Sequence, residues 1–124
     1  MEIRGLSALV TGASGFIGGR LAERLATEEG VRVHAMVRDA KKTERLRRLP
    51  LEIVIADLFD LLSLREAIDG CDLVFHCAAV VRESGDRDEF FRTNVKGTES
   101  ILKVSSETGV KKLIHFSSVV SPLT

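Results

Sequence analysis

Thr11-Gly12-Ala13-Ser14-Gly15-Phe16-Ile17-Gly18 follows directly on the apolar run Leu6-Ser7-Ala8-Leu9-Val10, and Leu21 and Leu25 continue from Ile17 at a spacing of four. A short apolar run of this kind reads as a strand buried on both faces. The spacing of four after it reads as a helix with one apolar stripe turned to the sheet. Between the two the chain must turn sharply. Gly12 permits the turn, Gly15 lets a phosphate approach backbone with no side chain in the way, and Gly18 lets the helix pack close to the strand. The opening N–H groups of the helix, at the positive end of its dipole, then face an anion. Strand, glycine loop and helix in this order are suited to the pyrophosphate of a dinucleotide. Counted from Gly12, the glycines fall at positions one, four and seven, so the loop is one residue longer than the G-x-G-x-x-G fingerprint. A tight glycine turn without a ligand is the alternative, and the flanking strand and helix weigh against it.

The same alternation continues along the chain. Val31 to Val37 reads as the second strand, and Lys41 to Leu49 as a short helix stopped by Pro50. Leu51 to Ala56 is the third strand. Asp60 can cap a helix that runs to about Asp69 and ends at Gly70. Asp72 to His76 is the fourth strand, and a long helix opens at Asp86 or Asp88 and ends near Gly109. Lys111 to Phe116 is the fifth strand. Strands separated by helices imply a parallel sheet with right-handed crossovers. The expected class is α/β, a Rossmann-type doubly wound parallel sheet in the order 3-2-1-4-5. Its ligand would lie at the switch point between strands one and four.

Composition narrows the function classes. The 124 residues fit one domain with a real core, 44% of them hydrophobic and 29% charged. Eighteen basic residues balance eighteen acidic ones, which argues against nucleic acid as a partner. No apolar run is long enough to span a bilayer and no signal peptide precedes the first strand, so the expected compartment is the cytoplasm. Cys71 and Cys77 are too few and too irregular for a disulfide framework or a zinc site, and no metal is expected.

Five segments together resemble the N-terminal half of an extended short-chain dehydrogenase/reductase, the NAD-dependent epimerase/dehydratase and dihydroflavonol-reductase-like group. Thr11 to Gly18 resembles the family's T-G-x-x-G-x-x-G loop. Asp57-Leu58 resembles its acidic pair after strand three, and His76-Cys77-Ala78-Ala79 its H-x-A-A segment after strand four. Thr93 to Thr98 resembles its N-V-x-G-T helix, and Phe116-Ser117-Ser118 the serine-bearing end of strand five. The resemblance covers essentially the whole chain. It implies cofactor contacts from Gly12, Ser14, Gly15, Phe16, Ile17, Gly18, Arg38, Asp57, Leu58, Ala78 and Ala79. The Asp57 side chain would bond the adenine amino group, and the next backbone N–H would read the ring. The small Ala78 and Ala79 suit a ribose lying close to backbone. His76 would serve backbone packing without a proton-transfer role. Asn94 would brace the site through the strand-four backbone. His34 and His115 fall within strand patterns and read as core or sheet-face residues.

Arg38 stands at the end of strand two, where the fold reads the adenosine ribose. A carboxylate there accepts bonds from the 2′-hydroxyl of NAD, whereas an arginine attracts the 2′-phosphate of NADP. Val37-Arg38-Asp39 resembles the NADP-using reductases, and Lys41 and Lys42 add positive charge. Asp39 leaves NAD open, but the balance favours NADP. A solvated basic helix face is the other reading of Arg38 and its neighbours.

The resemblance makes Ser118 the catalytic candidate that hydrogen-bonds a substrate carbonyl or hydroxyl, with Ser117 and Ser121 as fallbacks. In the family a later tyrosine moves the proton, and a lysine four residues beyond it lowers the tyrosine pKa. The 124 residues contain no tyrosine. The chain therefore reads as a truncated dinucleotide-binding domain, without a C-terminal substrate domain. It would bind cofactor without turnover, its parent acting on a hydroxyl or carbonyl substrate such as a sugar nucleotide. A short non-catalytic regulatory or interaction module is the competing reading. An uncovered fifth strand at the sheet edge and the face near Phe90–Ser105 point to a homo-oligomer. The loop from Val80 to Arg87 would border the substrate.

Overall fold

The computed structural model describes residues 2–77 and 87–116, and the stretch 87–93 by its backbone alone. Ala78, Ala79, Ser117, Ser118, Ser121 and most of the Val80–Arg87 loop lie outside the described residues. The elements run β1 (Ser7–Thr11), α1 (Phe16–Thr27), β2 (Arg32–Val37), β3 (Glu52–Ile55), α2 (Leu61–Ile68), β4 (Leu73–His76), α3 (Arg87–Glu107) and β5 (Lys112–His115). The five strands form one sheet in the order β3-β2-β1-β4-β5, with every pairing parallel. This is the order read from the sequence.

β1 is buried at every residue, as a central parallel strand must be when both faces are covered. Its alternate side chains serve different layers. Ala8 and Val10 join Ala22 and Leu25 of α1 on one face. Leu9 joins Leu64 and Ile68 of α2 and Ile101 and Val104 of α3 on the other. Each fully buried aliphatic side chain of this kind contributes about 1.5–3 kcal/mol.

Two expectations are corrected. Lys41–Leu49 is not one helix but two short 3₁₀ turns, Ala40–Lys42 and Leu46–Arg48. Thr43 lies between them, buried, with its hydroxyl donating to the Ala40 carbonyl at 2.9 Å. That bond offers the backbone an alternative to the helical ladder. The buried residues of α1 are Gly18, Gly19, Ala22 and Leu25, whereas Ile17 faces solvent at 52% exposure instead of the sheet. Leu21 is only partly buried against the core.

The helix caps position the site. α2 is closed at its start by Asp60, whose side chain accepts the Ser63 N–H. α1 starts at Gly15 with no side-chain cap among the described residues and no acidic residue in its first turn. Its opening amides stand at the positive end of the helix dipole, where a helix supplies no intrahelical acceptors.

Candidate cofactor site

The switch point between β1 and β4 carries a cleft of about 250 Å³. Gly12, Ser14 and Gly15 form one wall, and Met36, Val37 and Arg38 from the end of β2 another. Ala56, Asp57, Leu58 and Phe59 after β3 close a third side, and Cys77, Asn94 and Gly97 complete it. Ligands of open α/β sheets bind at this place, beyond the carboxyl ends of the strands.

The glycine loop has the geometry the sequence called for. Gly12 has φ +64°, a left-handed conformation that favours glycine. A Cβ on Gly18 would lie 2.2 Å from the Gly12 carbonyl oxygen, so α1 approaches the end of β1 only because Gly18 lacks one. The loop is tied to its neighbour strand, since the Ala13 N–H donates to the Met36 carbonyl at 3.1 Å.

Asp57 sits partly buried in the turn after β3. Its Oδ1 accepts the Phe59 N–H at 2.9 Å, and its own N–H donates to Ser63 Oγ at 3.2 Å. Among the described residues no donor reaches Oδ2, which is left to accept from a ligand. Arg38 is exposed on the cleft wall. Asp39 is not on that wall: its Oδ1 accepts the Lys41 N–H at 2.9 Å and caps the first 3₁₀ turn.

The structure thus brings together Gly12, Ser14, Gly15, Arg38, Asp57 and Leu58. Phe16, Ile17 and Gly18 do not line the cleft. Phe16 and Ile17 turn their side chains to solvent at the start of α1, with the Arg20 guanidinium 4.9 Å from the centre of the Phe16 ring. Gly18 lies beneath the loop. Sequence reasoning missed Met36, Phe59 and Cys77 as cleft residues, because nothing in an apolar or thiol side chain announces a cleft. Burial pushes the Cys77 thiol up to about 11, so it stands neutral there.

His76 is more than packing. It is 1% exposed, with Nδ1 2.8 Å from Thr11 Oγ1 and Nε2 3.4 Å from Thr98 Oγ1. Its ring stacks on His115 at a centroid distance of 5.1 Å. Burial, with a smaller push from His115, lowers its pKa to about 4. His115 is exposed on β5, so of the two readings the sheet-face one holds.

A parallel sheet in this order, with a glycine loop and a cleft at its switch point, defines a Rossmann-type fold. The particular group follows from comparison. The model of the NAD dependent epimerase/dehydratase family matches residues 8–121, and the chain belongs to that family. It is 44% identical over 121 residues to dihydroflavonol 4-reductase of Gerbera hybrida, covering 88% of this chain and 32% of that protein. It is 36% identical over 114 residues to sterol demethylase protein B of Methylococcus capsulatus, covering 91% and 34%. Among solved structures it is similar to a short-chain dehydrogenase/reductase superfamily protein from Agrobacterium tumefaciens with bound NAD. That match has a TM-score of 0.75 and 32% identity, over 91% of this chain and 33% of the other. The chain spans about a third of the length of these relatives. Among the described residues no helix is long and apolar enough to cross a membrane, and no three metal-binding side chains cluster.

Proposed function

We propose that this chain is the dinucleotide-binding portion of an NAD(P)-dependent oxidoreductase or epimerase of the extended short-chain dehydrogenase type. The observation that carries the reading is the cleft that joins the glycine loop leading into α1 to Arg38 and Asp57. The opening amides of α1 and the Ser14 segment would hold the pyrophosphate, where a helix N-terminus favours negative charge. Asp57 Oδ2 and the Leu58 N–H would read the adenine. Ala78 and Ala79 would lie along a ribose.

Arg38 supports NADP over NAD. It reaches the cleft, whereas the Asp39 carboxylate is engaged by the Lys41 N–H. A guanidinium beside a 2′-phosphate makes ion-paired hydrogen bonds, for which the 2′-hydroxyl of NAD offers no charged acceptor. Arg38→Gln is expected to weaken NADPH binding roughly tenfold or more and leave NADH within about threefold. Fluorescence titration of both reduced cofactors checks this; equal losses for the two would remove Arg38 from the 2′-position.

The cofactor, when bound, supplies hydride exchange with a substrate carbon. Ser118 would hydrogen-bond the substrate's carbonyl or hydroxyl. The relatives' names support reductase chemistry on a carbonyl or hydroxyl group, and the family's name adds epimerase and dehydratase chemistry; a sugar nucleotide is the substrate proposed for the parent. With no tyrosine in its 124 residues, the chain would hold cofactor without turning it over. Partly exposed Val95 and Leu102 on α3 make that helix the expected contact for a second copy. A monomer at every concentration in light scattering would contradict the oligomer.

A further inference from the structure

The imidazole of His76 touches three elements at once. Thr11 is the last residue of β1, Thr98 lies on α3 and His115 is the last residue of β5. The sheet register sets Thr11, His76 and His115 side by side across three strands. Each group that the imidazole joins by hydrogen bonding is a chain neighbour of a cleft residue. Gly12 follows Thr11, Cys77 follows His76 and Gly97 precedes Thr98, and all three line the cleft. Thr11 Oγ1 also accepts the Cys77 N–H at 3.0 Å. Gly97 in turn abuts the turn after β3, for a Cβ there would lie 3.1 Å from Leu58 Cδ1.

We infer that His76 is a positioning residue: a neutral imidazole, protonated on Nε2, that clamps the root of the glycine loop to α3 and so holds the dinucleotide cleft in shape. The inference rests on the proposed dinucleotide site. In this clamp Thr11 Oγ1 accepts the amide proton of Cys77 and gives its own proton to the Nδ1 lone pair. Nε2 then carries the hydrogen and donates to Thr98 Oγ1. A second proton on Nδ1 would turn the Thr11 bond around and bury a positive charge against His115. Among the described residues, His115 is the titratable group facing the ring, from β5. β1 and α3 present the non-titrating hydroxyls of Thr11 and Thr98, and the adjacent Cys77 thiol stays neutral.

Two readouts test the clamp in the intact chain. The first is ¹⁵N NMR of the histidine rings through a pH titration, run alongside NAD⁺ affinity by calorimetry, because NAD⁺ lacks the 2′-phosphate that itself takes up a proton near about pH 6. The expected result is His76 as the neutral Nε2–H tautomer at neutral pH. NAD⁺ affinity should fall only as this ring takes up its proton, near about pH 4. The second is a pair of variants. His76→Phe keeps bulk and loses both bonds, and should weaken NADP⁺ roughly tenfold. His76→Asn places an acceptor where Nδ1 stands and should recover about half of that loss on a logarithmic scale. An Nδ1–H tautomer or an imidazolium at neutral pH overturns the inference. So does a His76→Phe protein that binds NADP⁺ within about twofold of the parent. Should His76→Phe not fold, the wild-type titration decides alone: affinity lost while the ring is still neutral overturns the clamp. A wild-type chain with the Nε2–H tautomer that binds no NADP⁺ or NAD⁺ overturns the cofactor site, and the positioning role with it, but leaves the hydrogen bonds standing.

Discussion

A methyl group on Gly18 would meet the Gly12 carbonyl oxygen at 2.2 Å, with the Gly12 carbonyl carbon and Thr11 carbonyl oxygen close behind. Backbone surrounds the site, so no side chain can swing away. Gly18→Ala should destabilise the fold by about 1–3 kcal/mol, the usual range for overpacking. It should also weaken dinucleotide binding, because relief requires the loop to move. Chemical denaturation and calorimetry on one protein check both effects; an unchanged denaturation midpoint would contradict the packing described. Gly12, Gly18 and Asp57 were legible in the sequence because their jobs need a particular residue type: a left-handed φ, a missing Cβ, a carboxylate after a strand. Phe59 and Met36 were not, since a hydrophobic side chain reads the same in a cleft wall and in a core. The two bonds of His76 needed strand register and the phase of α3, which no local pattern contains. Ala78, Ala79 and Ser118 rest on the family resemblance.

At the scale of elements, the strands and α2 fall within a residue or two of their sequence reading. Continuous apolar runs mark the strands, and Asp60 and Gly70 bracket α2. Asp60→Ala tests the cap of α2 and should cost about 1 kcal/mol, since the Ser63 N–H loses its acceptor. The turn around Asp57 should loosen with it, as Ser63 Oγ accepts the Asp57 N–H. Hydrogen exchange localised to residues 57–68 would show this, and uniform exchange across the chain would not. The Lys41–Leu49 segment misled because its charges and leucines suit a helix. Asp39 and Thr43 instead hydrogen-bond the local backbone, and Leu46 is the one buried residue in either turn. α1 misled by phase: Ile17, Leu21 and Leu25 looked like the inner stripe, but the tight approach of Gly18 rotates the helix so that Gly18 and Ala22 face the sheet.

For the whole molecule, the core is two apolar layers on either side of one parallel sheet. Ile101 anchors the far layer with no exposure, and Ile101→Ala should cost about 2–5 kcal/mol of stability. Acid should act through His76. Its folded pKa, about 4, lies below the 6.5 of an ordinary histidine, so the unfolded chain binds the extra proton first. Stability therefore falls as pH drops from about 6.5 toward about 4, by up to about 3 kcal/mol. His76→Phe should flatten that slope in denaturation curves taken across the range; an unchanged slope would assign the acid sensitivity elsewhere.

The central claim is that the cleft at the switch point is a dinucleotide site. Calorimetric titration of the purified 124-residue chain with NADPH and then NADH tests it most directly. The account predicts saturable binding of both, tighter for NADPH and lost in parallel with folding in Gly18→Ala. A folded chain that gives no heat of binding with either cofactor would contradict it.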